Sequence, residues 1–176
     1  MAKSNDSNRK SLATSYNDLL VRYPLMINGL QAAIIAGLGV LASQLLNGNH
    51  FDFIEVYIMM FINFAYHTPI LLAFNNVLQK TGLRILPMLI IDQLLFSPLF
   101  TCGIVGLRLL LLGNSIYNIP NMVWSVVPGA MITSWMFWVP SKAIIFHFVP
   151  PMYQLLAGNA FSFIWTIIFA MILQKK

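Results

Sequence analysis

Hydrophobic positions along this chain come in long runs, without the narrow stripe of a surface helix or the alternation of a half-buried strand. The first run spans about Leu25 to Leu46, the second Phe53 to Leu78 and the third Ile85 to Leu112. From Met122 to Leu173 the chain is apolar almost throughout. Each run reaches the roughly 20 residues that a helix needs to cross the hydrocarbon core of a bilayer. Strands of a membrane barrel alternate over roughly 10 residues, so these runs are too long and too uniform for a barrel. In lipid the backbone must satisfy its own hydrogen bonds, which leaves helices. The pattern therefore predicts an all-α fold: a multi-span transmembrane helical bundle with four spanning helices, or five by the alternative division of the last stretch.

Two regions follow from the same pattern: residues 1–22, a polar tail with a short amphipathic helix, and residues 23–176, an integral membrane domain. Met1 to Ser11 is polar and rich in Ser, Asn, Lys and Arg, and reads as a disordered tail. Between Ser15 and Tyr23, the residues Tyr16, Leu19, Leu20 and Tyr23 share one helical face, and Ser15 with Asp18 resembles a capping box. This predicts an interfacial helix with tyrosines at headgroup level, after which Pro24 is suited to a first helical turn. In the first span, Gly29, Ala33 and Gly37 form a row at four-residue spacing, and Gly39 and Ser43 form a second small pair. Such spacing admits close helix approach. Asp52 and Glu55 guard the start of the second span, and Pro69 predicts a kink in its polar middle. Pro128, Pro140, Pro150 and Pro151 cut the last stretch, which holds either two spans or one span plus a broken or re-entrant segment.

Charge bears on that choice. Only 9% of residues are charged, too few to solvate a globular surface, and mean hydropathy is +0.76. The net charge of +5 would suggest nucleic acid in a soluble protein, but here the basic residues mostly flank apolar runs, so no nucleic-acid partner is expected. Lys3, Arg9, Lys10 and Arg22 precede the first span, Lys80 and Arg84 follow the second, and Lys175 and Lys176 end the chain. The positive-inside rule places all three groups on the cytosolic side, with both termini together. That requires an even number of crossings, hence four, with Val126 to Pro140 not crossing as a regular helix.

The chemistry available inside the spans is sparse. Cys102 is a lone cysteine in an apolar segment and reads as a small buried hydrophobe. His67 and His147 are distant and have no ligand at metal-binding spacing, so no metal and no cofactor are expected. There is no nucleotide-binding loop, G-x-S-x-G elbow or H-E-x-x-H helix, and the carboxylates are scattered; the chain is not expected to be an enzyme. Asp92, within the third span, is the leading candidate, because an ionisable group there is expensive and defaults to a functional hypothesis. It is either a pore-lining or gating carboxylate or a structural one, tying helices together through Lys142 or capping a broken helix, and Gln93 adds an interhelical hydrogen bond. Gln44 joins them as a candidate polar residue. Lys142 has further readings: a partner for a carbonyl freed by Pro140, a place in a water-filled cavity if the segment is broken there, or a snorkelling side chain if it lies near the interface; Arg108, near the end of its span, is read as snorkelling.

The segment Asp92-Gln93-Leu94-Leu95-Phe96-Ser97-Pro98 matches a D-Q-x-x-x-[AS]-P signature. In order along the chain it is joined by Tyr23-Pro24, by Gly37, Gly39 and Gln44, by Pro69, Phe74 and Leu78, by Trp138 with Phe148, Val149 and Pro150, and by Trp165. Together they resemble the peroxisomal membrane protein 2/4 family, which includes mitochondrial inner-membrane relatives. Pro98, Trp138, Pro140, Phe148, Pro150 and Trp165 are then its structural motif residues. Pro140 comes one residue later than the family's Trp-Pro, because Val139 intervenes. Val40, Leu72, Asn75, Ile145 and Gln154 stand where the family usually has Asp, His, Tyr, Asn and Arg. The resemblance implies four spans, no established reaction, and a channel or pore for small solutes; the alternative is a non-conducting structural or adaptor protein. The expected partners are the lipid bilayer and small solutes, with room for a homo-oligomer. The expected location is an organelle membrane, with the peroxisome favoured over the mitochondrial inner membrane.

Overall fold

The computed structural model describes residues 16, 18–48, 50–83, 85–149 and 151–174, with the backbone alone at positions such as 75, 151–156, 158 and 159. The polar tail, Ser15, Arg84, Pro150, Lys175 and Lys176 lie outside the described residues, as do the side chains of Asn75 and Gln154.

Residues 18–22 are helical and the chain turns at Tyr23, where Pro24 opens helix α1 (Pro24–Leu46) from its first turn. The Tyr16 hydroxyl accepts from Gln31 Nε2, which ties the preceding helix to α1. Gly48, with φ of 67°, reverses the chain after α1. Asp52 caps the next helix: its Oδ1 accepts from the amides of Ile54 at 2.9 Å and Glu55 at 3.2 Å.

The second span is α2 (Phe53–Ile62), a π-helical turn (Asn63–His67) and α3 (Thr68–Lys80). The third repeats this plan: α4 (Ile85–Ile91), a second π turn (Asp92–Phe96) and α5 (Ser97–Leu111). Each π turn stops one residue before a [ST]-Pro pair. Proline has no amide hydrogen, and its ring collides with the carbonyl four residues back. Widening the turn by one residue relieves that collision, so Thr68 N bonds Asn63 O and Ser97 N bonds Asp92 O. The kink expected at Pro69 is thus taken up by a π turn.

The last stretch resolves into α6 (Ile119–Phe148) and α7 (Pro151–Gln174), separated by an extended Val149. The expectation that Val126 to Pro140 is irregular does not hold. Pro128 and Pro140 both lie on the exposed side of α6, where a helix can open without disturbing packed neighbours.

Among the described residues, four helices are long and apolar enough to cross a membrane: Pro24–Leu46, Phe53–Phe74, Leu89–Leu111 and Ile119–Ile145. Helix α7 adds a shorter apolar stretch, Ala160–Gln174, packed along α1. Its end is fixed by Gln174 Nε2 donating to Ser43 Oγ at 3.1 Å and by Asn47 Nδ2 donating to Gln174 Oε1 at 3.2 Å. Pro24 lies a helix of about 34 Å away from that end. Gln174 thus sits at the Asn47 end of the bundle, opposite Pro24, while the chain ends whose shared side was expected lie outside the described residues.

Helix α1 is the axis of the packing. A Cβ at Gly29 would lie 2.8 Å from the Phe64 ring, and one at Gly37 would lie 2.9 Å from Met60 Sδ, so this row faces the second span. Gly39 faces Thr166 of α7. Around Val40, wholly buried, the core gathers Met59, Ile62, Val105, Met131 and Phe169. Leu30, Ile34 and Leu38 are exposed on the opposite face of α1, as are Trp124, Ile132 and Met136 on α6. An apolar interior with an apolar outside is the arrangement a bilayer demands.

Candidate functional site

Consecutive antiparallel spans bring residues near the end of one helix to the level of residues near the start of its neighbour. Asp92 opens the π turn of the third span, and Lys142 lies near the end of α6. They meet: Lys142 Nζ donates to Asp92 Oδ2 at 2.7 Å, with their side chains 27% and 21% exposed. Gln93 Nε2 donates to the same oxygen at 2.7 Å. In the π register the Gln93 carbonyl would bond the amide of residue 98, which is Pro98 and has none. Trp135 Nε1 donates to that carbonyl instead, at 3.1 Å. Pro98 therefore creates the need that Trp135 meets, and Trp135 was not singled out from the sequence. Of the readings for Lys142, it is the Asp92 partner that forms; Ser141 Oγ donates to the Phe137 carbonyl at 2.6 Å beside it. Asp92→Asn is expected to lower stability by about 1 kcal/mol, and Asp92→Asn with Lys142→Met to cost less than the sum of the single changes. Thermal denaturation in detergent checks this; strictly additive losses would count against the pairing.

A second charged pair occupies the other end of the bundle. Arg108 grips Glu55 with two bonds, Nε to Oε1 at 2.6 Å and Nη2 to Oε2 at 2.9 Å. Their side chains are 11% and 7% exposed, which makes this the more deeply buried of the two pairs. The snorkelling expected of Arg108 is thus corrected. Its guanidinium turns inward because a carboxylate stands at the same level on the neighbouring helix. The signal was available: Glu55 lies three residues past Asp52 at the start of one span, and Arg108 lies four short of Leu112 at the end of the next.

Gln44 belongs to this second end, not to the Asp92 cluster. Its Oε1 accepts from Asp52 N at 3.0 Å and its Nε2 donates to Asp52 O at 3.2 Å, clamping the first loop onto α1. Here all the long helices converge on an open cavity of about 530 Å³. Its polar wall includes Gln44, Asp52, Glu55, Arg108, Asn114 and Gln174. Its apolar wall includes Val105, Leu109, Val126 and Leu173; Val105, Leu109 and Leu173 are also core residues, so this wall is made of packed side chains. No group of histidine, cysteine and carboxylate able to hold a metal occurs among the described residues. His67 Nδ1 and Gln93 Oε1 are buried without a hydrogen-bond partner among the described residues, one in each π turn.

The motif aromatics hold the helices around these pairs. Phe74, Phe96 and Phe100 stack in series, at 3.7 and 4.9 Å between centroids, and Phe100 continues to Tyr66 and His67. Trp138 meets Trp165 at 6.3 Å between α6 and α7, with Phe137 and Phe169 beside Trp165. Phe148 is exposed at the end of α6, edge-on to His147.

The Trp138 to Trp165 portion lies inside the segment that matches a family of known sequences. Residues 109–170 match the Mpv17 / PMP22 family. The resemblance read from the sequence is thereby supported from a second direction, and it reaches beyond the matched residues. The chain is 24% identical to PXMP2/4 family protein 1 of Dictyostelium discoideum, over 94% of this chain and 86% of that protein. It is 24% identical to the mitochondrial inner membrane protein Mpv17 of Danio rerio, over 86% of this chain and 90% of that protein. To the Drosophila melanogaster protein of the same name it is 29% identical over 49% of this chain and 52% of that protein. No solved structure matches.

Against the Mpv17 / PMP22 family pattern, the departures have a clear place in the fold. Val40 is wholly buried in the core and Ile145 is 6% exposed. Positions expected to be polar have become part of the apolar packing.

Proposed function

We propose that this chain is a channel-type protein for small polar solutes in an organelle membrane, held here in a closed conformation. The observation that carries the reading is the cavity of about 530 Å³ that enters the bundle beside the buried Glu55–Arg108 pair. A membrane protein with no use for water inside it has little reason to hold charge there, because a buried pair barely repays its desolvation. In this reading the packed Val105, Leu109 and Leu173 of the cavity wall are what closes the route. Transport and not catalysis is the role proposed, since both ionisable pairs are spent on each other. The mitochondrial inner membrane name of two relatives, with the resemblance read from the sequence, supports an organelle membrane as the proposed location, with the peroxisome preferred on the sequence.

A second reading, a non-conducting structural protein, is favoured by one observation. Asp92 is paired to Lys142 and Gln93, and Val40 and Ile145 are packed where the family is polar. Planar-bilayer recording separates the two. Purified protein is expected to conduct, and Leu109→Ser with Val105→Ser to raise open probability several-fold. A silent bilayer from both proteins, each shown folded by circular dichroism, overturns the channel and leaves the structural reading.

A further inference from the structure

We infer that the cavity at the Asn47 end is a binding site for a small zwitterion, one whose anionic group lies close to an ammonium. The inference rests on the channel reading, in that it names the chemical class the cavity receives.

The wall carries fixed charges of both signs, and their bonds leave specific positions open. Arg108 spends Nε and Nη2 on Glu55, so Nη1 makes no hydrogen bond among the described residues. Asp52 spends Oδ1 on the amides of Ile54 and Glu55, which leaves Oδ2. Asn114 donates through Nδ2 to the Leu109 carbonyl at 2.9 Å, which leaves its Oδ1 as an acceptor. Gln44 is fully engaged with the Asp52 backbone, and Gln174 with Ser43 and Asn47; those amides shape the wall and offer little to a ligand. His50 and Ser125 also line the cavity, and the groups above leave one donor position on a guanidinium and acceptors on a carboxylate and an amide.

The spacing sets the class. Asp52 caps the helix whose first turn holds Glu55, with its Oδ1 accepting from the Glu55 amide at 3.2 Å, and Arg108 is bonded to Glu55. The free guanidinium nitrogen and the free Asp52 oxygen thus stand within reach of one small molecule. A lone anion would meet Arg108 but face two carboxylates; a lone cation would meet Asp52 but face the guanidinium. A molecule with phosphate or carboxylate at one end and a primary ammonium at the other satisfies both. Free phosphoethanolamine has this chemistry, and so does the headgroup of phosphatidylethanolamine entering from the membrane surface.

The test uses full-length protein in nanodiscs. Isothermal titration with free phosphoethanolamine is expected to show binding at least tenfold tighter than with inorganic phosphate or ethanolamine alone. Asp52→Asn is expected to weaken it at least tenfold; asparagine caps a helix about as well as aspartate, so the fold is retained. If the source is lipid, free phosphoethanolamine fails to bind. Discs of phosphatidylethanolamine then raise the melting temperature over discs of phosphatidylglycerol in the wild type and not in Asp52→Asn. Equal binding of phosphate or ethanolamine alone, an unaffected Asp52→Asn, or no response in either arm overturns the site. Conductance is read separately: a conducting protein that binds nothing sinks only this inference, and a binding protein that never conducts sinks only the channel.

Discussion

Arg108→Leu alone is expected to lower folding stability by about 3–5 kcal/mol, because it leaves Glu55 as a buried carboxylate without its counter-charge. The Glu55 side chain is only 7% exposed, so water can do little to replace the guanidinium. Glu55→Leu alone is expected to do similar damage from the other side. The double variant Glu55→Leu with Arg108→Leu is expected to recover most of the loss, since an apolar pair of adequate volume needs no desolvation to be offset. Arg108→Lys falls between: it keeps the charge but not the planar fork that makes two bonds at once. Chemical or thermal unfolding in detergent, followed by circular dichroism, measures the series. A double variant no better than the worse single change would show that the pair is not the unit assumed here. In the channel reading the same double variant removes the buried pair from the cavity wall and leaves the Asp52 carboxylate, so a refolded protein with altered ion selectivity would connect stability to transport.

The ease of reading the spans and the difficulty of reading this pair have one physical origin. A bilayer imposes length and apolarity on each helix separately, so Pro24–Leu46 or Leu89–Leu111 can be recognised from its own residues. A pairing such as Glu55 with Arg108 belongs to the relation between helices, and becomes visible only when the level of each charge is compared across an antiparallel turn. Asp92 and Lys142 were legible because Asp92 sits inside a span, where a lone charge demands a partner. The prolines misled for a local reason. Sequence marks where a helix loses a hydrogen bond, not how the loss is absorbed: Pro69 and Pro98 are absorbed by π turns, while Pro128 and Pro140 stay within α6. Terminal lysines speak for the side of a membrane and not for packing, and it is packing that sets Gln174 at the Asn47 end. Side-chain amides of Asn47 and Gln174, with Ser43, fix that end.

Gly39→Ala is expected to destabilise by about 1–3 kcal/mol, as overpacking does in a filled interior. The sign makes the test sharp. Alanine in place of glycine within a helix normally stabilises by roughly 0.5–1 kcal/mol, so a loss can come only from the contact the new Cβ makes. That Cβ would lie 2.8 Å from Thr166 Cβ and 3.3 Å from the Thr166 backbone carbonyl carbon, atoms that no rotamer change can move away. Helices α1 and α7 would have to separate. Gly37→Ala meets Met60, whose thioether can swing aside, and is expected to cost less. Gly129 on α6 is exposed, and a Cβ there would meet nothing within 4 Å, so Gly129→Ala is expected to be neutral or stabilising. The three variants, measured side by side by thermal denaturation in one detergent, should rank Gly39 below Gly37 below Gly129. Loss at Gly129 equal to that at Gly39 would mean that the exposed face of α6 is packed in the folded protein, and that the close approach of α1 and α7 does not govern stability.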